Sequence, residues 1–232
     1  MTSIGSIYFP GTHVACLQVP QTEELQLMND DFTIEWFQYM VLQPFTVTPC
    51  IFAIGTYPNV CIGAYVDRYS VFHLLLNGCK YAISRVTVYD TWAHFAIVRH
   101  ENIFRVYANG EQISEDIHKS CNLDYNHEFL TIGNESIPSR ESVYTGYITN
   151  LRIIRRNCIY SSAFSVPTYP LPVTNDTSFL LYTQSAELMC YDRGRFEMHI
   201  NVNEVNTDGG EYNDSLHEDE RVIHWTAHAP ST

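Results

Sequence analysis

Residues 92–112, Trp-Ala-His-Phe-Ala-Ile-Val-Arg-His-Glu-Asn-Ile-Phe-Arg-Val-Tyr-Ala-Asn-Gly-Glu-Gln, leave this chain little choice of fold. They read as two strands and two turns. In the first strand, Trp92, His94, Ala96 and Val98 fall on one face, and Ala93, Phe95 and Ile97 on the other, because side chains alternate along an extended chain. Both faces are largely apolar. Such a strand belongs inside a sheet that is covered on both sides, or packed tightly on one. His100-Glu101-Asn102 makes a polar turn. Residues 103–108 return, with Phe104, Val106 and Ala108 on one face and Arg105 and Tyr107 on the other. Asn109-Gly110 closes the unit with a strong hairpin signal, since both residues tolerate positive φ.

The rest of the chain keeps this texture. Residues 4–9 and 14–19 read as strands on either side of a Pro10-Gly11 turn. A single helical turn fits residues 21–27. Strands follow at 31–41, 50–56, 60–66, 69–76 and 79–84, the last two joined by Asn77-Gly78. Residues 111–127 form a polar, irregular connection. Strands resume at 129–133, 147–155 and 179–183. Short strands at this spacing, with no long helix, indicate an all-β antiparallel β-sandwich.

Three blocks carry a family resemblance. The first is Trp92, a His two residues on, an apolar run into Val98-Arg99, a turn, and then Phe104-x-Val-Tyr-x-Asn-Gly110. The second is Tyr144-Thr-Gly-Tyr-Ile-Thr-Asn-Leu-Arg-Ile153, followed by Ile159-Tyr-Ser-Ser-Ala-Phe164 and Pro167-Thr-Tyr-Pro-Leu171. The third is Asp31-Phe-Thr-Ile-Glu-Trp36. In this order, over residues 4–184, they resemble the laminin-G-like branch of the concanavalin A-like lectin/glucanase superfamily. The resemblance implies a lectin-like jelly roll over residues 1–184 and an acidic C-terminal extension over 185–232. It implies no single function, because this fold carries lectins, hydrolases and structural modules alike. Single-domain relatives with the closing-turn blocks are similar to proteins of phages and large DNA viruses. The expectation from that likeness is a virion component, in a capsid or a fibre.

Composition removes other classes. A net charge of −13 gives none of the basic footprint that duplex DNA or RNA requires. There is no run of about 18 apolar residues, hence no expected membrane helix. The N-terminal Met-Thr-Ser-Ile-Gly-Ser lacks the basic and apolar regions of a secretory signal. The seven cysteines (16, 50, 61, 79, 121, 158 and 190) are odd in number and contain no Cys-x-x-Cys. They read as free thiols, four of them in apolar strands, which suits folding in a reducing cytoplasm. The sequons at Asn134, Asn175 and Asn213 would then stay unmodified.

Catalytic signatures are missing. Laminarinase-type members of the superfamily place acid and nucleophile in a Glu-x-Asp-x-x-Glu strand, and no such run occurs. Asp31 and Glu35 are four apart and fall on one face, expected to meet solvent or a turn. His94 reads as a packed, hydrogen-bonded residue. His217, His224 and His228 with Glu218 are the one arrangement that spacing allows for a metal. The resemblance raises calcium, but its loop corresponds to residues 55–59, Gly-Thr-Tyr-Pro-Asn, which supplies no carboxylate. No cofactor is therefore expected. Glycoside hydrolysis or polysaccharide lysis remains the competing reading.

Glycan binding would use rings that stack on a pyranose face, with polar groups for the hydroxyls. Tyr57, Asp67, Arg68, Tyr69 and Tyr144, at loops and strand ends, are the candidates. The extension has a different character. Ten acidic and two basic residues lie between 187 and 220, and they flank an alternating apolar strand at 196–202. A short apolar segment at 222–225 ends it. The expectation is an arm for self-association or for docking on other structural proteins, with the chain a non-enzymatic binding or structural module.

Overall fold

The computed structural model describes residues 5–12, 15–41, 48–55, 59–85, 89–123, 129–135, 142–182, 189–192, 201–202 and 224–230. Its strands are β1 (Ser6–Pro10), β2 (Leu17–Pro20), β3 (Phe32–Met40), β4 (Cys50–Ile54), β5 (Ile62–Val66), β6 (Val71–Leu76), β7 (Cys79–Arg85), β8 (Trp92–His100) and β9 (Ile103–Ala108). They continue with β10 (Glu111–Gln112), β11 (Ile117–His118), β12 (Phe129–Ile132), β13 (Thr145–Arg155), β14 (Thr177–Tyr182), β15 (Met189–Asp192), β16 (Asn201–Val202) and β17 (His224–Thr226). One 3-10 turn, Glu23–Leu25, stands where a helical turn was expected.

The strands form two antiparallel sheets. The first runs β10-β9-β8-β3-β13-β1-β17, with β14 and β15 added beyond the far half of β13. The second runs β16-β2-β12-β4-β5-β6-β7. The main core lies between them. Trp36 and Phe95 are register partners on β3 and β8, and their rings stack at 5.6 Å. Phe52 and Phe72 from the opposite sheet close on Trp36 at 5.3 and 6.4 Å. Phe104 and Ile153 join the same core, as the sequence predicts.

The first sheet is covered on its outer face too. Ala96, Val98 and Tyr107 form a second apolar cluster, with Phe37, Tyr169 and Leu171 as a third beside it. What covers them is the segment 157–173, which packs Tyr160, Phe164, Tyr169 and Leu171 against the sheet. Gly110 positions this cover. Its backbone bonds Phe164, and a Cβ there would stand 1.9 Å from the Phe164 carbonyl oxygen at a φ of +83°. Only glycine meets both conditions.

The sequence predicts Trp36, Trp92, Phe104 and Ile153 together in the core between the sheets, and the outer layer corrects this for one of the four. Trp92 does not lie between the sheets. It is half-buried on the outer face, opposite Phe95 in parity, among Tyr39, Tyr147 and His228.

The extension folds back onto its own sandwich wherever it is described. β15 pairs with β14, β16 with β2 and β17 with β1. The outer edges of β1 and β2 are therefore both paired by the extension. Of the alternating strand expected at 196–202, only Asn201–Val202 lies within the described residues. Residues 222 and 223 of the terminal apolar segment lie outside them. No disulfide joins the six cysteines whose side chains are described.

Candidate functional site

Four places on the sandwich carry concentrated polar or aromatic chemistry. The first is sealed. Glu35 points outward from β3 into the layer beneath residues 157–173, where it is fully buried. Arg152, its cross-strand partner on β13, donates to Glu35 Oε1 from Nε at 2.9 Å and again from Nη2. His94 Nε2 donates to Oε2 at 3.0 Å, and the Tyr160 hydroxyl donates to the same atom at 2.8 Å. Burial alone would raise the Glu35 carboxyl. The His94 hydrogen bond and the Arg152 charge overcome that and hold it below the usual carboxylate value. The same burial, with the Glu35 charge, pushes the Tyr160 phenol up.

This corrects the expectation that Glu35 meets solvent. Asp31 does meet a turn: its carboxylate accepts from His100 Nδ1 at 2.9 Å and from the Glu101 backbone. The two carboxylates thus have separate structural partners. His94 is packed and hydrogen-bonded, as its place in the strand suggests, with its Nδ1 unpartnered.

The second place is the β5–β6 turn, Asp67 to Ser70. Asp67 Oδ1 accepts from the backbone of Tyr69 at 2.8 Å and of Val71 at 3.0 Å, while Oδ2 meets His73 Nε2 at 2.8 Å. Burial works against its ionisation, but these donors prevail and lower the carboxyl. Asp67 is therefore committed to the turn. Ser70 takes a φ of 63°, and the turn throws Tyr69 outward with 56% of its surface exposed. The Arg68 guanidinium lies 4.8 Å from the centre of that ring. Among the residues whose side-chain burial is described, Tyr69 is the only exposed Phe, Tyr or Trp.

Of the other two candidates, Tyr57 lies outside the described residues. Tyr144 is fully buried, edge-on to Phe9 at 6.0 Å, with its hydroxyl donating to the Tyr147 carbonyl at 3.2 Å. A ring in the core has no face to offer a sugar, which removes it from the set.

The third place was not singled out by sequence reasoning. Trp92, Tyr39, Tyr147 and Tyr8 form one rung across four adjacent strands, β8, β3, β13 and β1, each in register with the next. Neighbouring rings are 5.9, 5.7 and 5.1 Å apart. All four are half-buried on the outer face. Their signal in the sequence is parity alone: each sits where alternation points away from the core.

The fourth is an open polar cleft of about 540 Å³ at the rim, lined by Glu23, Glu24, Asp30, Arg155 and Arg156 among others. Its charges answer one another. Arg155 meets Asp30 at 3.6 Å and Glu24 at 4.0 Å, and Arg156 meets Asp30 at 3.3 Å. The cleft contains no aromatic wall.

No group of three metal-ligating side chains occurs among the described residues. His217 and Glu218 lie outside them, and His228 is held by aromatic rings.

The sandwich agrees with what comparison finds. The family model for the concanavalin A-like lectin/glucanases superfamily matches residues 17–158. The chain belongs to that superfamily. Among solved structures, a putative carbohydrate binding protein from Bacteroides ovatus aligns over 88% of this chain and 61% of its own, with 13% identity and a TM-score of 0.56. A heptameric SAP-like pentraxin from Limulus polyphemus aligns over 66% and 76%, with 19% identity and a TM-score of 0.51. The mouse laminin alpha1 domains LG4-5 align over 71% and 45%, with 13% identity and a TM-score of 0.48. At these identities the likeness is one of fold. No match was found among curated proteins.

Proposed function

We propose that this concanavalin A-like domain is a non-catalytic glycan-binding module that reads saccharide at the β5–β6 rim. The observation that carries the reading is the presentation of Tyr69. Its ring is the one exposed Phe, Tyr or Trp ring among the residues whose side-chain burial is described, on a turn whose backbone is held by the Asp67 carboxylate. A ring fixed before the ligand arrives loses little freedom on binding. The Tyr69 face suits the apolar face of a pyranose, and Arg68 beside it can donate to ring hydroxyls or to an acidic sugar's carboxylate.

A binding role fits better than catalysis. Glu35 is sealed and Asp31 holds a turn. The carboxylates of the rim cleft, Glu24 and Asp30, lie against arginines. A virus shell or fibre, the setting that the sequence resemblance suggests, would repeat the module many times. Repetition would turn weak single-site binding into useful avidity.

The test is a glycan array followed by titration of the best ligand. Tyr69→Ala should weaken binding by about tenfold or more, roughly 1.4 kcal/mol. Arg68→Ala should weaken it less. Undiminished binding by Tyr69→Ala would place the site elsewhere. Turnover of the bound glycan would show an enzyme.

A further inference from the structure

The C-terminal segment 224–230 is docked, and what docks it is a defined receptor. β17 pairs antiparallel with the edge strand β1 at Ser6, Ile7 and Tyr8. The Ser6 hydroxyl donates to the His228 carbonyl at 2.5 Å. The His228 ring then sits among three members of the outer-face rung: Tyr147 at 4.6 Å, Tyr39 at 4.8 Å and Trp92 at 5.4 Å. Ala229 follows it into the apolar cluster of Phe37, Tyr169 and Leu171. Main-chain pairing, one hydroxyl contact, an aromatic platform beneath the exposed His228 imidazole and an apolar contact for the Ala229 methyl together make a recognition site for an extended peptide.

We infer that the β1 edge and the Tyr39–Trp92–Tyr147 platform form a receptor for this segment, and that a second copy of the chain can fill it in exchange. This exchange does not depend on glycan binding. Residues 203–223 join β17 to β16, which lies on the edge of the other sheet. Fully extended, that length of chain spans at most roughly 70 Å, enough to leave one sandwich and reach another. Exchange would reproduce every contact just described, so no stability is lost when the segment crosses over. The balance between the two forms is then set by the concentration of other copies against the effective concentration of the tether. The net charge of −13 on each copy opposes encounter and makes exchange salt-dependent.

The test uses the full chain carrying Ser6→Cys and Thr226→Cys, positions that face each other in the β1–β17 register. Each single substitution serves as a control for the native thiols. The pair is oxidised across a range of protein concentrations at about 0.5 M salt, where charge repulsion between copies is screened. Electrophoresis without reductant then separates the products. The expected result is an internally bridged monomer when dilute and a growing covalent dimer when concentrated. Adding His228→Ala should cut the bridged yield several-fold in both forms. A bridge that stays intramolecular at every concentration would overturn the exchange. No bridge at all, or one indifferent to His228→Ala, would overturn the receptor. Should the cysteine pair fail to fold, tagged and untagged wild-type chains mixed at high concentration provide the second readout. Co-purification of the untagged chain, lost when both carry His228→Ala, supports exchange, and its absence refutes it.

Discussion

Arg152 and Glu35 face each other across β13 and β3, joined by two guanidinium donors to one carboxylate oxygen, under a cover of 17 residues supplied by 157–173. A buried pair of this kind is costly to break from one side, because the remaining charge keeps its burial and loses its partner. Arg152→Met should therefore destabilise the domain by about 3–5 kcal/mol in denaturant unfolding. Replacing both residues by apolar ones should cost much less than the sum of the single changes, as a double-mutant cycle would show.

The same carboxylate gives a pH dependence. Its pKa is lower in the folded protein than in the unfolded chain. The stability it contributes is therefore present above the unfolded carboxylate value and is lost as pH falls through the folded one. Unfolding measured down an acid series should show wild-type stability declining below about pH 4.5. Glu35→Gln should have a shallower acid limb and a lower plateau at neutral pH. Equal slopes for the two proteins would remove Glu35 from the acid transition.

Trp36 and Trp92 should part company. Trp36 is fully buried between the sheets against Phe52, Phe72 and Phe95, so Trp36→Ala should cost about 3–5 kcal/mol. Trp92 is half-buried, so Trp92→Ala should cost less and should mainly loosen the docked C-terminal segment. Denaturant midpoints and proteolysis near residue 224 would separate the two effects.

The cysteines offer a further check. The denatured, unreduced protein should titrate seven thiols. In the native protein, Cys79 is exposed and should label first. Cys121 and Cys158 are half-buried, and burial raises both thiols, so they should follow slowly. Cys50, deep under the second sheet, should label only on unfolding.

The fold was legible because its signals are local. Residues 103–108 form the strand that alternation indicates, and Asn109 and Gly110 both take positive φ in the turn after it. Trp36, Phe104 and Ile153 lie in the core as expected, whereas Trp92, expected beside them, does not, because alternation separates two faces without saying which one points inward. The outer layer was not legible in the same way. Glu35 lies on a strand whose outward positions are Thr33, Glu35, Phe37 and Tyr39, a mixture that reads as a solvent face. Its burial depends on Arg152 and Tyr160, which are 117 and 125 residues away. Tyr144 shows the opposite failure. It looks like a loop residue because it precedes a strand, but Phe9 and the neighbouring core enclose it. The Asp67–Tyr69 turn could be found from composition, but the commitment of Asp67 to its own backbone could not.

The sealed layer also bears on what counts as one folding unit here. The match to the superfamily's model ends at residue 158, before Tyr160 supplies its hydroxyl and before Phe164, Tyr169 and Leu171 cover the sheet. It also begins at residue 17, after β1, which β13 pairs along one half of its length. A fragment cut at those limits would expose Glu35 with two of its donors kept and its cover gone, and would open an edge of the first sheet. The span that matches the family model is thus smaller than the folded sandwich, and any attempt to transplant the domain should carry both flanks with it.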